Sequence, residues 1–171
     1  SYSVDIYKGE QKAERHLGYF ALYVTFFPQL VAGPIERFSE LGPQFREKQT
    51  FKYENLAAGF RLILLGFFAK VAIADNLAVI AETFYQDPIQ YARRDALLAV
   101  VAYAFQIYGD FMGYSLIAIG SARLMGVKLM DNFKTPYLSA SVSEFWQRWH
   151  ISLSTWFRDY VFIPLGGSRV N

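Results

Sequence analysis

The stretch EFWQRWHISLSTWFRDYVFIPLGG, Glu144 to Gly167, is apolar and aromatic enough for a core or a bilayer, yet it carries Glu144, Arg148, His150, Arg158 and Asp159. A charge at the centre of a membrane helix costs about 2.5–3.5 kcal/mol, so five ionisable groups in such a segment call for a use. His150 is one of only two histidines in the chain. Imidazole is the side chain whose ordinary pKa suits proton transfer near neutral pH. The pattern predicts one helix here, opened by Ser141 or Ser143 and ending before Pro164.

Upstream, Met125 to Pro136 is a turn-rich connector. Ala96 to Ala122 carries a single charge, Asp110, and reads as a helix of about 40 Å, longer than a bilayer needs. Asp95 is placed to cap it. Leu56 to Tyr85 reads as another helix from its apolar spacing, interrupted by Arg61, Lys70 and Asp75 and ended by Gln86-Asp87-Pro88. Glu36 to Asn55 reads as a mixed-charge loop. Leu17 to Ile35 holds no charge, a length that would cross most of a ~30 Å hydrocarbon core. Pro28, Gly33 and Pro34 argue against one straight helix there. Lys8 to Arg15 is a charged patch. Strand alternation and internal repeats are absent. The expected fold class is therefore all-α, a polytopic membrane protein fragment with broken or re-entrant and amphipathic helices, three or four of them embedded. Lys and Arg are spread over all connecting loops, so their distribution assigns no orientation.

Composition narrows the function classes. The chain has 171 residues, 18% aromatic and 19% charged, with no cysteine and a net charge of +2. That length allows one domain. Lack of cysteine excludes disulfides and thiolate metal sites. Two distant histidines without a carboxylate pattern argue against zinc, so no metal is expected. No basic stripe with interleaved aromatics points to nucleic acid. The chain opens without methionine or signal segment and is expected to be cut from a longer polypeptide.

Each candidate residue has two readings. His150 is either a general base or orienting group facing a polar cavity, or a histidine hydrogen-bonded in a packing core. Ser154, one turn further, is either a nucleophile beside His150 or a serine bonded back to helix carbonyls, and the second is favoured because no Gly-x-Ser-x-Gly elbow exposes it. Glu144 and Arg148 stand at the i, i+4 spacing of an ion pair. Arg158 and Asp159 are adjacent and are expected to need separate partners, in a polar tunnel or within the bundle. Asp110 lies in Gly109-x-x-x-Gly113, where helices approach closely, and is expected to pair with an Arg of another helix or to line a substrate path. Lys70 and Asp75 are five apart and expected to neutralise each other in part. Trp146, Trp149 and Trp156 read as packing and interface anchors.

The strings Trp149-His150-Ile151-Ser152-Leu153-Ser154, Trp156-Phe157-Arg158-Asp159-Tyr160 and Ile163-Pro164-Leu165-Gly166-Gly167 together resemble the signature of the membrane-bound O-acyltransferases. The branch they resemble most is the bacterial one that O-acetylates alginate and other exported polysaccharides. Phe26 to Ile35, Gly66 to Asp75, Asp110 to Ser115 with Ala118-Ile119-Gly120, and Asn132-Phe133 with Pro136-Tyr137-Leu138 are family-like strings in family order. Two positions depart from the pattern near Asp110: Met112 where many members have serine, and Leu116 where a second acidic residue is common.

The resemblance implies that residues 1–171 are the central part of a single membrane O-acyltransferase domain, multi-pass in the bacterial cytoplasmic (inner) membrane. It implies transfer of an acetyl group to hydroxyls of an exported glycan, with His150 catalytic. Arg148, Trp149, Ser154, Arg158, Asp159 and Asp110 would support the site or line the substrate tunnel. No cofactor would be resident; acetyl-coenzyme A would be the donor, and a periplasmic or extracellular acyltransferase partner would complete delivery. The family's second catalytic histidine has no matching string here. Teichoic acid D-alanyl transfer is the alternative within the family, and the Ile-Pro-Leu-Gly-Gly ending favours the polysaccharide branch. The rivals outside it are a transporter or assembly subunit, using Lys70, Asp110 and Arg158 as an ion path, and a soluble helical domain with an apolar core. A transporter should show paired broken helices in repeat halves.

Overall fold

The computed structural model describes residues 1–169. No strand forms among them; the helices are α1 (Tyr2–Tyr7), α2 (Leu17–Thr25), α3 (Phe27–Leu30), α4 (Phe38–Arg46), α5 (Tyr53–Gln86), α6 (Arg93–Leu124), α7 (Val142–Arg148) and α8 (Ile151–Phe157). Among the described residues, only α5 and α6 are long and apolar enough to cross a membrane. Their 34 and 32 residues give lengths of about 50 Å at 1.5 Å per residue, beyond the ~30 Å of a hydrocarbon core. The uncharged run after Leu17 does not make a third span. It breaks at Phe26, whose extended backbone precedes Pro28 in the first turn of α3.

The two long helices run against each other on small residues. A Cβ on Gly66 would sit 2.6 Å from the Gly113 carbonyl oxygen, and one on Gly113 would sit 2.8 Å from that of Gly66. Gly59 and Gly120 make the same reciprocal approach one heptad away, with 2.9 and 2.7 Å. Backbones meet where no side chain stands between them. The outer faces are apolar and open, as Leu64 at 66% and Leu97 at 67% exposure show. Such a surface suits lipid or neighbouring helices and would be a liability in water.

Helix α5 is wound as π over Phe68–Ala74. The wider turn brings residue i+5 over residue i, which is why Lys70 Nζ reaches Asp75 Oδ1 at 2.7 Å. It also reaches Asp110 Oδ1 on α6 at 2.6 Å. Asp110 therefore pairs with a lysine of the preceding helix, not with an arginine. Asp95 does not occupy the capping position of α6 either; it sits in the first turn, and its carboxylate accepts from the Ala92 N–H at 3.0 Å.

Residues 36–55 are not wholly loop. Phe38, Leu41 and Phe45 recur at i, i+3 and i+7, and their burial holds α4 together despite Pro43. With Tyr23, Phe26, Ile119, Ala122, Val127 and Leu129 they form the main core, where α2 and α4 meet the end of α6.

Candidate active site

Helix α7 starts as the sequence predicts. The Ser141 hydroxyl accepts from the Glu144 N–H at 3.1 Å, and the Glu144 carboxylate accepts from the Ala140 N–H at 2.7 Å. The first is the N-cap bond of a Ser-x-x-Glu start, and the second returns from Glu144 to the residue before the cap, not to Ser141 itself. Glu144 also pairs with Arg148.

The helix does not run on to Pro164. It stops at Arg148, Trp149 is extended, and His150 adopts φ 42° and ψ 57°, the left-handed region. Helix α8 starts at Ile151 and passes into a π turn over Arg158–Phe162. The sequence holds neither proline nor glycine at the break, so the cause is tertiary. The connector before α7 passes alongside, and two backbone bonds clamp the two segments. Lys134 N–H donates to the Arg148 carbonyl at 2.9 Å, and Ile151 N–H donates to the Asn132 carbonyl at 2.9 Å. Thr135 and His150 are the only non-glycine residues with positive φ among those described, and both sit at this clamp. Each such conformation costs about 1–3 kcal/mol and persists only where its surroundings over-determine it.

Aromatic rings supply those surroundings. Trp149 stacks on Phe145 at 5.5 Å and meets Phe133 edge-on at 5.1 Å. Phe133 packs on Phe111 at 5.1 Å, and Phe111 stands perpendicular to the His150 imidazole at 4.6 Å. His150 is half-buried, and burial pushes its pKa below the ordinary histidine value. Neither ring nitrogen is hydrogen-bonded to a protein group among the described residues. Burial thus favours the neutral imidazole, and with no protein partner on its ring among the described residues the side chain suits a base awaiting a proton.

The remaining candidates divide into three groups. Ser154 stays beside His150, but its hydroxyl donates to the Trp149 carbonyl at 3.3 Å and its N–H to the His150 carbonyl at 3.0 Å. That is the back-bonded arrangement, and it points the hydroxyl away from a nucleophile's task. Arg148 is engaged by Glu144. Arg158 and Asp159 do not need separate partners: Arg158 Nε meets Asp159 Oδ1 at 2.7 Å, and Asp159 Oδ2 also takes Arg37 at 3.0 Å. Arg37 lies over the Tyr160 ring at 4.3 Å, and the Tyr160 hydroxyl donates to Asp5. Of this second polar cluster, Asp5, Arg37, Asp159 and Tyr160 line a cleft with Lys8 and Glu10. Asp110 belongs to the Lys70 cluster described above.

Single-residue reasoning missed Arg37, which is one charge among many in its segment and offers no signal. It also passed over Asn132 as a chemical group, because an amide in a polar, turn-rich connector gives no sign that it is buried. Phe111 and Phe133 are visible only as pieces of the family-like strings.

The chain matches the model of the membrane-bound O-acyltransferase family over residues 10–171. It is 48% identical over 99% of its length to the "Probable alginate O-acetylase AlgI" of Pseudomonas fluorescens, and covers 34% of that protein. It is 44% identical over 88% of its length to the peptidoglycan O-acetyltransferase of Helicobacter pylori, covering 29% of it. The teichoic acid D-alanyltransferase of Streptococcus thermophilus is 34% identical over 87% of the chain, which covers 37% of that protein. The chain thus spans about a third of the length of the curated relatives it matches. With two apolar helices able to cross a bilayer and a family match over nearly all of its residues, this chain is a membrane protein and belongs to the membrane-bound O-acyltransferase family.

Proposed function

We propose that this chain carries the proton-transferring part of an O-acetyltransferase that acts on an exported polysaccharide from the bacterial inner membrane, as part of a multi-pass protein. The observation that carries the reading is His150, a half-buried imidazole at a helix break with no protein hydrogen bond on its ring among the described residues. Identity to polysaccharide and peptidoglycan O-acetylating relatives exceeds that to the D-alanyl transferase, which favours acetyl as the group moved.

The chemistry needs few groups. A glycan hydroxyl oxygen attacks the carbonyl carbon of a thioester donor, for which acetyl-coenzyme A is the candidate. The His150 ring takes the hydroxyl proton as the new C–O bond forms. Collapse of the tetrahedral adduct breaks the C–S bond, and the thiolate leaves with that proton, so His150 returns neutral. Trp149 and Arg148 support this in our reading by holding the break, and Ser154 only trims the start of α8 beside it. Asp110, Arg158 and Asp159 lie in the two outlying charged clusters and serve the approach of donor or acceptor. A periplasmic or extracellular partner enzyme would hand the acetyl group onward.

In membranes from cells making the native polypeptide, His150→Ala should keep protein level and detergent-extracted folding near normal. Acetyl transfer should fall about 10²-fold or more, the scale of general acid–base catalysis. The wild-type protein adds a second readout. The neutral imidazole is the active form and its pKa is lowered by burial. The acid limb of kcat/KM should therefore lie below the ~6.5 of free histidine. Wild-type transfer by His150→Ala at equal protein level would remove His150 from the chemistry. Loss of the protein itself would mark it as a packing residue.

A further inference from the structure

Helix α8 lacks the cap that a helix normally takes from its own leading residue. In the usual arrangement the side chain before the first helical residue accepts from an N–H one turn in. Here that residue is His150, which makes no such bond. A residue 18 positions earlier supplies the missing acceptors. Asn132 is only 1% exposed. Its carbonyl accepts from the Ile151 N–H at 2.9 Å. Its side-chain oxygen accepts from the Ser152 hydroxyl at 2.6 Å and from the Ser152 N–H at 3.4 Å. Its amide nitrogen donates to the Ser115 hydroxyl at 3.1 Å, and that hydroxyl donates to the Ala32 carbonyl at 3.2 Å. One buried amide therefore joins α6, the connector, the start of α8 and the loop after α3. Ser115 and Ser152 are each 1% exposed as well, so water does not compete for these bonds.

We propose that Asn132 is the positioning residue for His150: by capping α8 in place of His150, it leaves the imidazole free to face substrate and fixes its left-handed backbone against Phe111. The proposal rests on the acyltransferase reading above. Its physical content is a division of labour. Were His150 to cap its own helix, one ring nitrogen would be occupied and the ring would fold over Ser152 and Leu153. With Asn132 doing so, the same backbone turn presents the ring outward. Ser115 carries the position of α6, and with it Phe111 four residues earlier, into the same bond network.

The test compares Asn132→Ala, His150→Ala and the double variant in membranes from cells making the native polypeptide, with kcat and KM measured for both substrates. Asn132→Ala should lower kcat on the order of 10- to 100-fold with KM nearly unchanged, as misplacement of a reacting group does. Added to His150→Ala, it should cost nothing further, because its effect runs through the imidazole. Asn132→Asp, which keeps an oxygen acceptor for the two Ser152 donors, should recover part of kcat. A wild-type kcat for Asn132→Ala, or an equal loss with and without His150, overturns the positioning role. If Asn132→Ala does not accumulate, Ser152→Ala decides. A several-fold loss of kcat at normal protein level and KM supports the proposal, and an unchanged kcat overturns it. A His150→Ala protein with full activity would instead strike the acyltransferase reading itself, and is told apart by that single variant.

Discussion

The α5–α6 pair and the segment from Asn132 to Phe157 both bring backbone close to backbone, by opposite means. In the helix pair nothing stands between the chains. Gly59 faces Gly120 and Gly66 faces Gly113, and each missing methyl is the contact. In the segment, rings and a buried amide fill the space: Trp149, Phe133 and Phe111 pack edge and face around His150, and Asn132 ties the turn. The first device is repetitive and can be written into a periodic sequence. The second joins residues nearly twenty positions apart and leaves no period. The first holds a scaffold in the membrane, and the second holds one side chain in an uncommon pose.

The largest effect should come from filling the helix contact. Gly113→Leu places a side chain where even a Cβ would lie 2.8 Å from the Gly66 carbonyl oxygen and 3.1 Å from the Lys70 nitrogen. Neither neighbour is a flexible side chain, so the helices must part. Overpacking costs about 1–3 kcal/mol for a few methylenes, and this change exceeds that. The protein should fail to extract as a single detergent-stable species. Phe133→Leu, which removes atoms from the aromatic cluster, should be milder in the same assay. If the order were reversed, the scaffold would depend on the rings and the comparison would break.

A smaller effect tests the charged inset in the helix pair. Lys70 serves Asp75 at 2.7 Å and Asp110 at 2.6 Å. Lys70→Met leaves two carboxylates without their shared cation. The cost should be about 1–3 kcal/mol, between the values for exposed and buried pairs, since all three side chains are partly open. Thermal unfolding in detergent checks it. In a cycle with Asp110→Asn, the double variant should lose less than the sum of the two single losses. Strict additivity would mean that the two charges do not stabilise each other across the helices.

These two regions also differ in how far the sequence reveals them. The long apolar runs and their polar ends give α5 and α6 within a few residues, and Gly109-x-x-x-Gly113 marks the contact face. Pro28 forecasts the break after α2. The break at His150 is not forecast, because Trp149-His150-Ile151 contains no residue that disfavours a helix enough to stop one. It arises when Asn132 and Lys134 compete for the backbone groups of residues 148–151. The pairing of Arg158 with its neighbour Asp159 was missed for a related reason. Neighbours in an ordinary α-helix point about a quarter turn apart, whereas this segment is wound as π and its Arg158 side chain turns back onto Asp159. The membrane nature of the chain and its family were legible; the helix break that sets the backbone of His150 was not.

The smallest expected effect concerns Ser154, and it separates two uses of the same turn. A nucleophilic serine would have its hydroxyl within reach of the imidazole, and its loss would cost activity on the scale of a covalent catalyst. In the structure the hydroxyl is spent on the Trp149 carbonyl at 3.3 Å, while Thr155 bonds the Ile151 carbonyl at 2.9 Å one residue on. Such bonds trim a helix start and contribute about 0.5–1.5 kcal/mol each. Ser154→Ala should therefore leave acetyl transfer within about twofold of wild type, with a small fall in melting temperature, since the carbonyl it exposes is one acceptor among several. The contrast with Asn132→Ala is the sharper for their closeness, as both contact residues adjoining His150 and only one should move kcat. A loss of transfer with Ser154→Ala as deep as that with His150→Ala would show an acyl-serine route, and would make the aromatic-framed turn a nucleophile mount instead of a base mount.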